Sequence, residues 1–302
     1  MTLQNLKGSI VAIVTPFNAA DEIDFPTLDG LIDWHLECGT NGIVVAGTTG
    51  ETPTLSETEY AGLVRHVVKR VDGRLPVIAG AGSNATAETI RRGHVALDQG
   101  ADGLLLVTPY YNKPTQAGLL AHFGAIAGAI AAPIILYNVP GRTGCNLLPE
   151  TVLELHERHP HLFAVKEASG NLNQIMELLR CKPDSLSVYS GDDALALPVV
   201  LLGGAGCISV VANEIPAEFS RLMAAALAGD LPTARKLHET YLPLMDLNFI
   251  ESNPVPVKTA LAMMGRVIER FRLPLVSLAP GNRARIESEL RQLGLIRRGG
   301  AA

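Results

Sequence analysis

Ile134-Ile135-Leu136-Tyr137 and Leu162-Phe163-Ala164-Val165-Lys166 are two short apolar runs, and residues 151–158 between them carry apolar side chains at helical spacing. Continuous hydrophobic strands joined by an amphipathic helix are the unit of a parallel sheet covered by helices. The unit recurs. Further strand candidates are 10–14, 42–46, 77–79, 103–107, 187–190 and 207–210, with the runs at 134–137 and 163–166 bringing the total to eight. Helical patterns fill most of the gaps, at 29–37, 57–71, 87–98, 118–130 and 172–179. Eight strand-helix units fit a (β/α)8 barrel in count and length, and a doubly wound open sheet is the rival that spacing alone leaves open.

After the eighth strand the pattern changes. From Glu214 onward the chain reads as helix only, broken near Gly229-Asp230, at Asn253-Pro254-Val255-Pro256, and from Pro274 to Pro280. The expected α/β organisation is a catalytic TIM barrel over 1–229 and a helical appendage over 230–302. That appendage serves as an interface or as reinforcement, and 299–302 reads as a frayed tail.

Composition narrows the partners. The 302 residues are 47% hydrophobic and 18% charged, with a net charge of −5 and no basic tract, which argues against nucleic acid. The longest apolar stretch, 125–136, contains Gly128 and Pro133 and is too short to span a bilayer. No secretory leader is evident at the N-terminus, so a cytoplasmic location is expected. Cys38, Cys145, Cys181 and Cys207 form no C-x-x-C pair, and the eight histidines offer no metal-spaced pair at a strand end. No metal site is expected from these patterns. His156, His159 and His161 precede the strand that leads to Lys166, so a solvated loop at the far end of the barrel is expected for them.

In a barrel of this kind the chemistry belongs at the C-terminal ends of the strands. The residues found there are Gly47-Thr48-Thr49-Gly50-Glu51, Thr108-Pro109-Tyr110-Tyr111-Asn112, Tyr137-Asn138-Val139-Pro140-Gly141-Arg142-Thr143-Gly144, Lys166, and Gly191-Asp192-Asp193. Lys166 is the notable one. Of the seven lysines it alone closes a buried strand, where desolvation disfavours the ammonium and favours an amine able to attack a carbonyl. A strand-end lysine can also snorkel to water. Tyr137 ends the preceding strand, close enough to shuttle protons or simply to pack. The 47–51 turn offers N–H groups and hydroxyls to a small anion, and Arg142 could grip a carboxylate in bidentate fashion. Asp192 and Asp193 read as helix N-caps. Gly80-Ala81-Gly82 lacks the third glycine and downstream acid of a dinucleotide site.

Together, Gly-Thr-Thr-Gly-Glu, Pro-Tyr-Tyr-Asn-Lys-Pro, Tyr-Asn-Val-Pro-Gly-Arg-Thr-Gly, Val-Lys-Glu-Ala-Ser-Gly-Asn, Ser-Gly-Asp-Asp-Ala and Asn-Pro-Val-Pro-Val-Lys occur in this order between Gly8 and Leu295. This set resembles the dihydrodipicolinate synthase family, within the N-acetylneuraminate lyase superfamily of pyruvate-dependent class I aldolases. The resemblance implies a lyase of lysine and diaminopimelate biosynthesis. Lys166 would form a Schiff base with pyruvate, Thr48 and Thr49 would hold its carboxylate, and Tyr137 would relay protons with Thr48 and with Tyr111 from a neighbouring subunit. Arg142 would bind aspartate semialdehyde, and Gly191 and Ile208 would complete the substrate site. It also implies a homo-oligomer, commonly a dimer of dimers. Sugar-acid or hydroxy-oxo-acid aldolases of the superfamily, and a non-catalytic keto-acid-binding relative, are the alternatives. Against the first stands Arg142, which sugar-acid lyases typically lack. Against the second stands retention of Lys166, Tyr137, Thr48 and Tyr111 together. A lysine effector site in this family would use Asn84, Glu88 and Tyr110. Here Glu57 and Tyr60 stand where strongly inhibited relatives have histidines, so weak inhibition or none is expected.

Overall fold

The computed structural model describes residues 3–297. Eight parallel strands close into a barrel in sequence order: β1 (Gly8–Ala12), β2 (Gly42–Val45), β3 (Val77–Gly80), β4 (Gly103–Val107), β5 (Ile134–Asn138), β6 (Leu162–Glu167), β7 (Ser187–Ser190) and β8 (Gly206–Ser209). Pairing of Gly8 with Gly206 and of Ile10 with Ile208 joins the last strand to the first, which excludes the open sheet. The first strand begins and ends earlier than the apolar run 10–14. Beyond Ala12 the backbone still bonds, but Val14 N–H donates to the Asn213 side chain (3.1 Å) instead of to a neighbouring strand.

Helices α1 (Phe25–Glu37), α2 (Glu57–Val71), α3 (Thr86–Asp98), α4 (Gln116–Ala129), α6 (Pro149–Arg158), α7 (Leu172–Cys181), α8 (Ala196–Leu201) and α9 (Pro216–Ala228) ring the barrel, and α5 (Pro140–Thr143) is a single turn at its rim. Local chemistry sets their ends. Ser56 and Glu59 form a reciprocal capping box on α2, whose first turn is acidic and last turn basic, as the helix dipole favours. At the N-termini of α4 and α7 the Thr115 and Asn171 side chains accept from the N–H groups of Gly118 and Gln174. The inner stripe of α2 buries Leu63, Val64, Val67 and Val71, each contributing roughly 1.5–3 kcal/mol of transfer free energy.

Beyond the barrel, α9 stops at Gly229 (φ +77°) and Asp230 caps α10 (Leu231–Leu247), at the break expected from Gly-Asp. α11 (Val255–Met263) and α12 (Pro280–Gln292) follow, with α10 packed on α9 and α12. The expected tail at 299–302 lies outside the described residues.

Side chains of alternate strand residues separate into two cores. Ile10, Val44, Ile78, Leu105, Ile135, Tyr189 and Ile208 fill the barrel lumen, while the larger core lies between strands and helices. β6 departs from simple alternation. Ile134 pairs with Leu162 but Ile135 pairs with Ala164, so Phe163 is an extra residue in the ladder. Phe163 and Ala164 both enter the lumen, Val165 faces the helices, and Lys166 faces inward. Unbroken alternation from the outward Leu162 would have turned Lys166 toward the helices.

One expectation fails at the opposite end of the barrel. His156 does not lie in a solvated loop; it sits in the last turn of α6, buried, with Nδ1 on the Leu162 carbonyl (2.9 Å) and Nε2 on the Ser185 hydroxyl (2.7 Å). His159 and His161 are half-buried. The helical period of 149–158 turns His156 inward, and two satisfied ring nitrogens make its burial tolerable.

Barrel closure depends on a backbone contact at Gly206 (φ +148°), where a Cβ would sit 2.1 Å from the Gly8 carbonyl oxygen. Gly206→Ala is therefore expected to lower the unfolding free energy by about 3 kcal/mol or more. Gly30→Ala, in the exposed middle of α1 with nothing within 4 Å of the new methyl, should raise it by about 0.5–1 kcal/mol. Denaturant unfolding of both variants checks the pair; a wild-type midpoint for Gly206→Ala would contradict the closure argument.

Candidate active site

Strand register brings the two central side chains together. Tyr137 and Lys166 are direct partners across β5 and β6, so both point to the same face, and Nζ lies 4.5 Å from the centre of the Tyr137 ring. Lys166 is 5% exposed. A Cβ at Gly191 would meet Lys166 Cε at 2.8 Å, so only glycine lets the loop after β7 lie against the lysine stem.

Two adjoining cavities of about 390 and 190 Å³ meet at this point, and both are lined by Thr48, Tyr137, Val139, Arg142, Lys166 and Asn253. Thr49 and Gly191 line the smaller one and Tyr110 the larger. The 47–51 motif folds as a short 3-10 turn, Thr48–Gly50, closed by Glu51 in the left-handed region (φ +53°). Several bonds pin it: Thr15 Oγ1 donates to the Gly50 carbonyl (2.8 Å), Thr52 Oγ1 to that of Gly47 (2.8 Å), and Asn253 Nδ2 to Thr49 Oγ1 (3.1 Å). The leading N–H groups of a helical turn lack intrahelical acceptors and are suited to a small anion. On the facing wall Arg142 Nη2 donates to the Asn253 carbonyl (3.2 Å).

The expected residues Lys166, Tyr137, Thr48, Thr49, Arg142 and Gly191 thus share one site. Ile208 does not line either cavity; it lies in the lumen core, paired with Ile10. Tyr111 also lies outside both cavities of its own chain, 90% exposed and with φ +74°. Asp192 and Asp193 are not helix caps, because α8 begins three residues later with Leu195 at its N-cap. Asp193 is buried and accepts from the N–H groups of Val210 (3.1 Å) and Val211 (2.8 Å), so it closes the end of β8. Burial raises the carboxyl pKa of Asp193. It likewise raises that of Glu214, bonded to Asn248 (2.7 Å).

Other participants escaped the sequence reading. Asn138 and Glu167, the outward neighbours of Tyr137 and Lys166, are joined by Asn138 Nδ2 to Glu167 Oε2 (3.0 Å). Glu167 also accepts from Ser169 N–H (2.7 Å), and Asn138 from Leu147 N–H (2.9 Å). These bonds lock the strand ends that carry the tyrosine and the lysine. Asn253, Pro254, Pro274 and Leu275, all from the segment assigned to the appendage, line the larger cavity. The Asn-Pro-Val-Pro break was the available signal. Lys258 is the most buried lysine, paired with Glu51 (2.5 Å). Among the described residues no group of three or more His, Cys, Asp or Glu could hold a metal ion.

The model of the dihydrodipicolinate synthetase family matches residues 5–293. The chain belongs to that family. It is 48% identical to the 4-hydroxy-tetrahydrodipicolinate synthase of Koribacter versatilis, over 97% of each chain. It is 50% identical to that of Geobacter sulfurreducens, over 96% of this chain and 99% of the relative. Among solved structures it is similar to the dihydrodipicolinate synthase of Acinetobacter baumannii complexed with pyruvate. That match has 45% identity and a TM-score of 0.94, covering 96% of this chain and 100% of the other.

Within this family framework, the three residues matched to a lysine effector site do not share a cavity in the single chain. Tyr110 lines the larger cavity beside Lys166, while Glu88 lines a separate one between α2 and α3. Glu57 and Glu88 both pair with Arg91 (2.6 and 2.7 Å), and the buried Tyr60 ring stacks under Arg92 at 4.5 Å. Asn84 offers its carbonyl to Asn112 Nδ2 (2.9 Å). No helix among the described residues is long and apolar enough to cross a membrane.

Proposed function

We propose that this chain is a 4-hydroxy-tetrahydrodipicolinate synthase, condensing pyruvate with L-aspartate 4-semialdehyde in the diaminopimelate route to lysine. The observation that carries the reading is the buried Lys166 beside Tyr137, facing Arg142 and the Thr48–Gly50 turn across one cavity. Relatives near 50% identity over almost the whole chain, named for this reaction, support it.

The chemistry follows from the residues. The Lys166 amine adds to the keto carbon of pyruvate and water leaves, giving an iminium with the carboxylate held at the Thr48-Thr49 turn. Loss of a methyl proton gives the enamine, with the lysine nitrogen as electron sink. Tyr137, over the Nζ, relays that proton with Thr48 and with the Tyr111 of a second copy. The enamine carbon attacks the aldehyde of the semialdehyde, whose carboxylate Arg142 binds. The substrate's own amine then attacks the iminium carbon, closes the ring and releases Lys166. Metal and organic cofactor are not needed for any step.

The same reading divides the chain at 229/230, with the catalytic barrel before that point and, among the described residues, helices after it that complete the cavity wall. It makes the working unit a homo-oligomer built as a dimer of dimers, since an exposed Tyr111 held outside its own cavity has a use in a neighbour's. The four unpaired cysteines accord with a cytoplasmic location.

Lys166→Ala is expected to abolish the pyruvate adduct trapped by borohydride; an adduct trapped on another lysine would overturn the Schiff-base assignment. Tyr111→Phe should lower turnover by about tenfold or more while leaving the trapped adduct intact. Wild-type turnover in that variant, measured by steady-state kinetics, would sink the relay and with it the need for a partner subunit.

A further inference from the structure

A wholly buried ion pair stands at the edge of the larger cavity, which Glu51 lines and Lys258 does not. Glu51, which closes the Thr48–Gly50 turn, and Lys258, on α11, have wholly buried side chains joined at 2.5 Å. Lys258 Nζ also lies 4.5 Å from the centre of the Phe17 ring, and the Arg272 guanidinium covers that ring at 4.3 Å. Glu51 Oε2 accepts from Arg272 N–H (3.2 Å), so both carboxylate oxygens are engaged by the C-terminal region. Desolvation lowers the Lys258 pKa, and the Glu51 carboxylate opposes that fall.

Burying two charges is costly, and an ion pair of this kind is a poor way to gain stability compared with apolar side chains of the same volume. What it does supply is geometry. Five residues before Lys258, Asn253 donates to Thr49 Oγ1 (3.1 Å) and accepts from Arg142 through its carbonyl. One short segment, 253–258, therefore holds the middle and the end of the turn whose start lies in the cavity wall. Glu51 cannot shift without carrying Thr48 and Thr49 with it, because its own N–H is bonded to the Thr48 carbonyl (3.2 Å).

We propose that Lys258 is a positioning residue: through Glu51 it fixes the orientation in which the Thr48–Gly50 turn receives the keto acid's carboxylate. This rests on the reading that the turn binds pyruvate. A carboxylate held alike before and during reaction gives uniform binding, so loosening its cradle should weaken pyruvate binding more than turnover.

The test uses the full chain carrying Glu51→Gln together with Lys258→Met, which removes both charges and leaves neither one stranded, and Glu51→Gln alone, which keeps an acceptor for Arg272 N–H. Thermal melting checks that each is folded. Borohydride trapping at graded pyruvate concentrations then gives the half-saturating concentration and the maximal trapped fraction. The expected result is a rise of about tenfold or more in half-saturating pyruvate, with the trapped fraction at saturation and kcat within about twofold of wild type. An unchanged half-saturating concentration, or a fall in trapped fraction and kcat at unchanged half-saturation, would make the pair merely structural and overturn the proposal. So would failure of both variants to fold. Absence of a pyruvate adduct in the wild-type protein would instead sink the Schiff-base reading on which the proposal stands.

Discussion

The register between β5 and β6 is the constraint on which the site depends. It sets Tyr137 directly opposite Lys166, and the extra residue at Phe163 determines that the pair faces the lumen. A one-residue slip in a strand sends every side chain to the other face. Here such a slip would bury the lysine among helices, where it could neither meet a substrate nor reach water. Packing enforces the arrangement, because Phe163 and Ala164 both fill the lumen core beneath the site while Leu162 and Val165 anchor the outer core.

Around that pair the protein distributes polar groups in two shells. Outside the barrel, Asn138 and Glu167 tie the strand ends to one another and to the loops that follow. Across the cavity, the C-terminal segment reaches back to the Thr48–Gly50 turn through Asn253 and Lys258. Each buried charge in these contacts has a partner, as the desolvation cost of an unpaired one demands. The barrel supplies rigid strand ends; helices added after it supply part of the wall and hold the turn opposite the lysine.

Much of this was legible in the chain. Continuous apolar strands alternating with amphipathic helices fitted a barrel in count and length but left an open sheet as the rival, which only the pairing of β1 with β8 excludes. The residues after each strand offered Lys166, Tyr137, Thr48, Thr49, Arg142 and Gly191 as candidates, because a barrel gathers strand ends on one rim. The bulge at Phe163 was not legible, since the apolar run 162–165 has no polar residue to mark its parity. Lys258 was passed over because a lysine in a helical pattern reads as solvent-facing; its carboxylate partner is 207 residues away in sequence. Asp193 looked like a cap by its place before an apolar helical stretch, yet its acceptors are used by backbone N–H groups at the end of β8, a contact that only the closed barrel creates. Ile208 came from the family resemblance alone, and the lumen core claims its side chain.

The most direct test gives the purified protein pyruvate with aspartate semialdehyde, or pyruvate with N-acetylmannosamine or glyceraldehyde, and follows the products by mass spectrometry. The account predicts a cyclic product with aspartate semialdehyde and no condensation with either hydroxylated aldehyde. Turnover only with a hydroxylated aldehyde would contradict it, moving the activity to a sugar-acid aldolase and leaving the place of Arg142 in the cavity without a role.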